Sequence, residues 1–393
     1  KPKMGQTLSE PVKDKTSDIR NDARLVFASS AMQGWRISME DAHTTELELA
    51  NRPGYSFFGV YDGHGGQNVA RYSGSNLHQK IAGDTNFPTN IENAIKSGFL
   101  AIDDDLRKDP SGCTAVISVI TPDNYIYVGN AGDSRAVISI DGTARDMSND
   151  HKPVNPGESS RIHKAGGFVE FGRVNGNLAL SRAIGDFEFK QNTNFGPEEQ
   201  IVTAYPDVQK IKIEPNKTEF LVLACDVVSF IRHELCTKRS LKIACENLMD
   251  RCLAKDSELG GIGCDNMTVV IVGFLNGKSL DDWYDWMANR YGSLGPDFSD
   301  EVEPRGHTED YGSMDDENEQ DLEIPESPDI DTRPNSGRST GSIEDDINNY
   351  DNQGQPIIPT TPITVVAICE AARLVPESMA LPVFEKHKIR EMM

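Results

Sequence analysis

Carboxylates placed where strand-like runs stop are the residues of this chain best suited to chemistry. Residues 55–61 form an apolar run that ends in Asp62, Gly63, His64, Gly65 and Gly66. Asp62 puts a charge at the strand's end, the glycines let the backbone turn and approach a ligand closely, and the His64 ring can move protons near neutral pH. A tight turn explains the same five residues, because Asp-Gly is a common turn dipeptide. Further acids stand in comparable places: Glu40 and Asp41, Asp133, Asp226 and Asp265. Several carboxylates converging on one point imply a hard cation with oxygen ligands, and Arg36 carries the planar fork that suits two phosphate oxygens. Singly, each has an ordinary reading: a solvated turn for Glu40 and Asp41, a surface ion pair for Arg36, a turn cap for Asp133.

Positioning such groups requires elements that the pattern predicts. Residues 23–31 alternate as a strand, and residues 69–81 and 91–106 carry apolar positions at helical spacing with no proline inside either run. Residues 111–120 and 125–128, joined by Pro122, Asp123 and Asn124, read as a hairpin, and residues 135–140 as a third strand after it. Hairpins in series indicate antiparallel sheet, since parallel neighbours need long crossovers. Two more strands are expected at 208–213 and 219–224, a buried one from Met267, and helices at 239–253 and 280–291, the last with Trp283 and Trp286 facing the core. The run Asp103, Asp104, Asp105 reads as a solvated helix end. His43, His151 and His163 show no metal-ligand spacing and read as structural, while Arg182 either pairs at the surface or pins its loop.

Composition narrows the classes. Of the 393 residues, those from Asp300 to Asp351 hold 18 acidic against 3 basic, so this stretch carries −15 of the formal net charge of −23. It cannot bury enough apolar surface to offset the entropy of ordering, which predicts a flexible segment at 1–21, one catalytic domain at 22–292, and a disordered acidic and proline-containing tail at 293–393. The acidic balance and the lack of a basic stripe argue against nucleic acid as a partner. No run of about 18 apolar residues is present to span a bilayer. Seven cysteines, an odd number without Cys-x-x-Cys pairs, predict reduced thiols and a cytoplasmic or nuclear location. Met4 and Gly5 match the start of an N-myristoylation pattern. Peripheral membrane contact is expected only if Gly5 is acylated, and then weakly.

Taken together, the order Arg36-x-x-Met39-Glu-Asp41, Asp62-Gly-His-Gly-Gly66, Ser111-Gly-Cys-Thr-Ala115, Gly132-Asp-Ser-Arg135, Asp150-His-Lys-Pro153, Leu180-Ser-Arg-Ala-Ile-Gly-Asp186, Cys225-Asp226 and Asp265-Asn266 resembles the protein phosphatase 2C family over about residues 22–292. The resemblance implies an α+β fold of two packed antiparallel sheets flanked by helices, an αββα sandwich, in a monomeric enzyme. It implies Mg2+- or Mn2+-dependent hydrolysis of phosphoserine and phosphothreonine in phosphoprotein substrates. Asp62 would bridge two ions and the Gly63 carbonyl would bind one of them. Asp226 and Asp265 would ligate the other, Glu40 and Asp41 would act through waters, and Asp133 would serve a weaker third ion. Arg36 would bind the phosphoryl group and His64 would protonate the leaving oxygen. The chain departs from the family pattern after Asp226, where a glycine-led turn with a second aspartate is expected and Val227 stands instead. That departure implies weakened metal binding, and with it the alternative of a catalytically impaired member that binds phosphoproteins or partners without turnover.

Overall fold

The computed structural model describes residues 7–224, 228–237, 240–257 and 263–291. In chain order its elements begin with strands β1 (Thr7–Asn21), β2 (Leu25–Arg36), β3 (Ala42–Glu46), β4 (Ser56–Tyr61) and β5 (Gly63–His64), then helices α1 (Asn68–Gly83) and α2 (Ile91–Asp105). Strands β6 (Gly112–Cys113), β7 (Ala115–Ile120), β8 (Tyr125–Ala131), β9 (Ala136–Ile140) and β10 (Thr143–Asp146) follow. Helix α3 (Pro156–Lys164) precedes the short strands β11 (Val169–Glu170), β12 (Arg173–Val174) and β13 (Ile184–Gly185). The remainder is β14 (Asp207–Lys212), β15 (Thr218–Leu223), α4 (Val228–Cys236), α5 (Leu241–Cys252), β16 (Met267–Phe274) and α6 (Leu280–Tyr291).

Apolar strands buried on both faces form the middle of two sheets, ordered β1-β2-β16-β15-β9-β10 and β14-β8-β7-β4-β3, with the more exposed β1, β10, β14 and β3 at the edges. Every pairing in them is antiparallel. Successive side chains of one strand enter different cores, as the pleat requires. Phe27, Phe58, Val116, Leu221 and Val272 meet between the sheets. Their strand neighbours Val26, Val222 and Ile271 instead pack with Ile231, Leu248 and Trp283 of α4, α5 and α6. Phe57 and Ile117 pack with Leu77, Ile95 and Phe99 of α1 and α2. The layers therefore run helix, sheet, sheet, helix, the αββα sandwich expected. Each fully buried Phe or Leu contributes roughly 1.5–3 kcal/mol, and a one-residue slip would swap the two faces of a strand between cores.

Three sequence expectations change. Residues 7–21 are not a flexible segment but strand β1, which pairs with β2 from Asn21 opposite Val26 back to Thr7 opposite Arg36, with register shifts on the way. Its polar alternation conceals it, because its support is tertiary: the edge of β2 offers a hydrogen-bonding ladder, Ile19 packs on the helix-side core, and Lys15 pairs with Asp250 of α5 at 2.6 Å. Residues 135–140 form a strand as expected, yet β9 leaves the hairpin's sheet and joins β15 in the other one. Asp103 is not solvated; it is 6 % exposed and holds a neighbouring segment, as described below. The acidic tail lies outside the described residues.

Candidate active site

One end of the sandwich gathers the strand ends that carry the acids. Strand β4 delivers Asp62, and Gly63 follows it because a Cβ there would lie 2.2 Å from the Glu40 carbonyl oxygen; no side chain fits where the two backbones meet. Asn266, next to Asp265 just before β16, ties the loop after β2 in place. Its Oδ1 accepts the Glu40 N–H at 2.9 Å, and its Nδ2 donates to the Gln33 and Ser38 carbonyls at 2.8 and 2.9 Å. Sequence reasoning gave Asn266 no role, and its adjacency to Asp265 was the available signal.

The acids so placed are buried: Asp41 is 7 %, Asp62 5 % and Asp265 7 % exposed. Thr268 donates to Asp41 Oδ2 at 2.8 Å, whereas Asp41 Oδ1 is buried with no hydrogen-bond donor. Burial is the main cause that pushes the Asp41 carboxyl up to about 7; the Asp265 charge adds to it, and contacts with Thr268, Asp62 and Arg36 pull the other way. Arg36 Nη2 donates to Asp265 Oδ2 at 2.6 Å. Glu40 accepts from Ser38 Oγ at 3.1 Å and from the Gly66 N–H at 3.4 Å. Among the described residues no three acidic, imidazole or thiol groups form a ready ligand cage. The donor set nevertheless fits a hard divalent cation. It consists of carboxylates, one with an unsatisfied buried oxygen, and a cation is the partner that removes that cost. Asp226 lies outside the described residues, as does its junction with Val227.

A second cluster adjoins the first. In the small sheet β13-β6-β5, His64 sits opposite Gly112 and Gly112 opposite Gly185, which brings Asp186 within 2.8 Å of His64 Nε2 across 122 residues of sequence. Burial would lower the His64 pKa, but the Asp186 charge and hydrogen bond, with Asp133 and Glu40 behind them, outweigh it and the net direction is upward. Asp133 is itself engaged by Lys152 Nζ at 2.7 Å; burial nonetheless raises its carboxyl above the usual range. The structure thus brings Arg36, Glu40, Asp41, Asp62, Gly63 and Asp265 to one end and sets His64 beside them. Asp133 is close enough to act on His64 but is paired elsewhere.

Comparison with known proteins agrees with this architecture. A family model described as protein phosphatase 2C matches residues 25–259. The chain is 52 % identical over 312 residues to protein phosphatase 2C homolog 2 of Hypocrea jecorina, covering 73 % of this chain and 71 % of that protein. It is 52 % identical over 311 residues to protein phosphatase 2C homolog 2 of Schizosaccharomyces pombe, covering 74 % and 84 %. A crystal structure of a phosphatase from a pathogenic strain of Toxoplasma gondii superposes with a TM-score of 0.58 at 27 % identity, covering 67 % of this chain and 96 % of that one. The chain belongs to the protein phosphatase 2C family. It is a protein phosphatase, hence a hydrolase.

Proposed function

We propose that this phosphatase hydrolyses phosphoserine and phosphothreonine in phosphoproteins with the aid of Mg2+ or Mn2+. The observation that carries the metal part is the buried Asp41 oxygen without a donor, in a cluster with Asp62 and Asp265. Asp62, the Gly63 carbonyl, Asp265 and Asp226 would hold two ions, with Glu40 and Asp41 acting through waters and Asp133 at a weaker third. When bound, such ions supply charge neutralisation and lower the pKa of water. The protein's own contribution is placement: Arg36, 23 % exposed at its side chain, presents a guanidinium for the phosphoryl oxygens, and His64 protonates the departing Ser or Thr oxygen, a step typically worth about 10²- to 10⁴-fold. We place the enzyme in the cytoplasm or nucleus as a monomer; the buried free thiols of Cys113, Cys245 and Cys264 support a reducing compartment, and a Gly5-acylated form would add peripheral membrane contact. Among the described residues no helix is long and apolar enough to cross a membrane.

The deciding experiment is phosphate release from a phosphothreonine peptide by this chain, with Mn2+ and with chelator. Turnover that requires the metal is expected. Equal turnover in chelator would overturn the metal part, and none under either condition would overturn the activity of this chain as written.

A further inference from the structure

We propose that Asp186 is the positioning residue for His64, and that Asp103 and Lys190 fix Asp186 from inside the fold. This rests on His64 being the proton donor of the reaction proposed above. Asp186 Oδ2 lies 2.8 Å from His64 Nε2, with the two side chains 8 % and 22 % exposed. A carboxylate at that distance accepts from Nε2–H, which leaves Nδ1 as the nitrogen for the substrate.

Asp186 does not arrive there by chance packing. Its backbone is left-handed, φ 52° and ψ 42°, a conformation uncommon for residues with a side chain but open to Asp, and here it is held by its surroundings. The surroundings do so from three sides. The Asp186 N–H donates to the Ser111 carbonyl at 3.2 Å, and the Gly185 N–H donates to Asp103 Oδ1 at 2.8 Å. Lys190 Nζ donates to the same Asp103 oxygen at 2.7 Å and to the Ala183 carbonyl at 2.8 Å. The Lys190–Asp103 pair is 5 % and 9 % exposed, so it anchors the segment carrying Asp186 to α2 out of reach of water. Gly112 leaves the room: a Cβ there would stand 2.3 Å from Asp186 Oδ2 and 2.5 Å from His64 Nε2.

In the reaction, water bonds to phosphorus as the ester P–O bond breaks, and the electron pair of that bond leaves on the Ser or Thr oxygen. That oxygen takes the proton of His64 Nδ1–H. The proton lost by the attacking water restores the imidazolium through solvent, so the sum is ester plus water giving alcohol plus inorganic phosphate. The part Asp186 plays is to hold the ring so that Nδ1 lies on the leaving oxygen's path.

Leaving-group dependence separates this role from a structural one. With Mn2+ present, Asp186→Asn is expected to lower kcat on a phosphothreonine peptide on the order of 10²-fold while changing turnover of para-nitrophenyl phosphate, whose leaving group needs no proton, by less than about threefold. In a His64→Gln background the Asp186→Asn loss is expected to vanish, because the two act as one unit. An equal loss on both substrates, or an undiminished loss in the His64→Gln background, overturns the proposal. Should Asp186→Asn fail to fold, Asp103→Asn is measured in its place on the same two substrates, with the same outcomes decisive. A readout independent of turnover is nitrogen NMR of the unmodified chain with labelled imidazoles. The His64 signals, identified by their loss in His64→Gln, are expected to show hydrogen on Nε2 in the neutral ring, and the opposite tautomer overturns the proposal. A chain without phosphatase activity would sink the functional reading but leave this tautomer result to be read.

Discussion

Two buried charge clusters of this molecule have opposite chemistry. Around Glu158 of α3 the ledger of charges is closed. Arg161 Nη1 and Arg182 Nη2 each donate to it at 2.7 Å, Ser181 Oγ donates at 2.6 Å, and Arg182 reaches on to Asp207 at 2.7 Å. Burial works against ionisation there, yet the hydrogen bond from Arg182 and the charges of both arginines hold the Glu158 carboxyl down at about 2. At the end of the sandwich, acids face acids, Arg36 is the guanidinium partner of Asp265, and the Asp41 carboxyl is driven up to about 7. Comparable exposure, 6 and 7 %, therefore goes with opposite pKa directions, decided by how much counter-charge the protein supplies itself. A cluster that supplies it in full is a clamp, whereas the one that supplies it only in part, through Arg36, is the one proposed above to take cations.

The difference can be broken at either end. The largest effect is expected at Asp62. Asp62→Asn should lower Mn2+-dependent phosphopeptide turnover by at least about 10²-fold while leaving the melting temperature without metal unchanged, since the amide keeps a hydrogen-bonding group beside Asp41. A fall in both would show that Asp62 is a structural acid like Glu158. Glu158→Gln should do the reverse. Leaving two buried guanidinium groups short of a partner costs about 3 kcal/mol, or a Tm decrease on the order of 6–12 °C for a domain of this size, as scanning calorimetry would show.

Metal itself sharpens the contrast. Mn2+ at about 100 times its dissociation constant should stabilise the folded chain by about 2.7 kcal/mol, and the same addition to Asp62→Asn should give a far smaller shift; equal shifts would place the cation elsewhere. The same clamp can be titrated in acid. Because the folded pKa of Glu158 lies at about 2, below its ordinary value, its stabilisation is full above roughly pH 4.5 and is lost as pH falls toward 2, on the order of 3 kcal/mol in all. Urea midpoints measured down this window should therefore drop more steeply for the unmodified chain than for Glu158→Gln, and parallel curves would assign the acid sensitivity to other groups.

Much of the architecture is written in local pattern. The short apolar runs of β4, β7 and β16, the helical spacing of α1, α2, α5 and α6, and the glycines after Asp62 each state a conformation that neighbours along the chain can enforce. The acids at strand ends were legible for the same reason, because a strand's end is a local fact. What the sequence alone left undecided is pairing across distance. Strand β1 is polar and becomes a strand only because β2 offers an edge. β9 follows a hairpin in sequence yet joins the other sheet. Asp103 looks like a solvated helix end until Lys190 and the Gly185 amide, more than eighty residues away, close on it. Asp186 meets His64 only through a ladder of short strands that no periodicity announces. Hydrogen bonds and ion pairs between remote residues depend on where the cores place their backbones, so residue type and spacing determined which groups could do chemistry here, and tertiary structure decided which of them face one another.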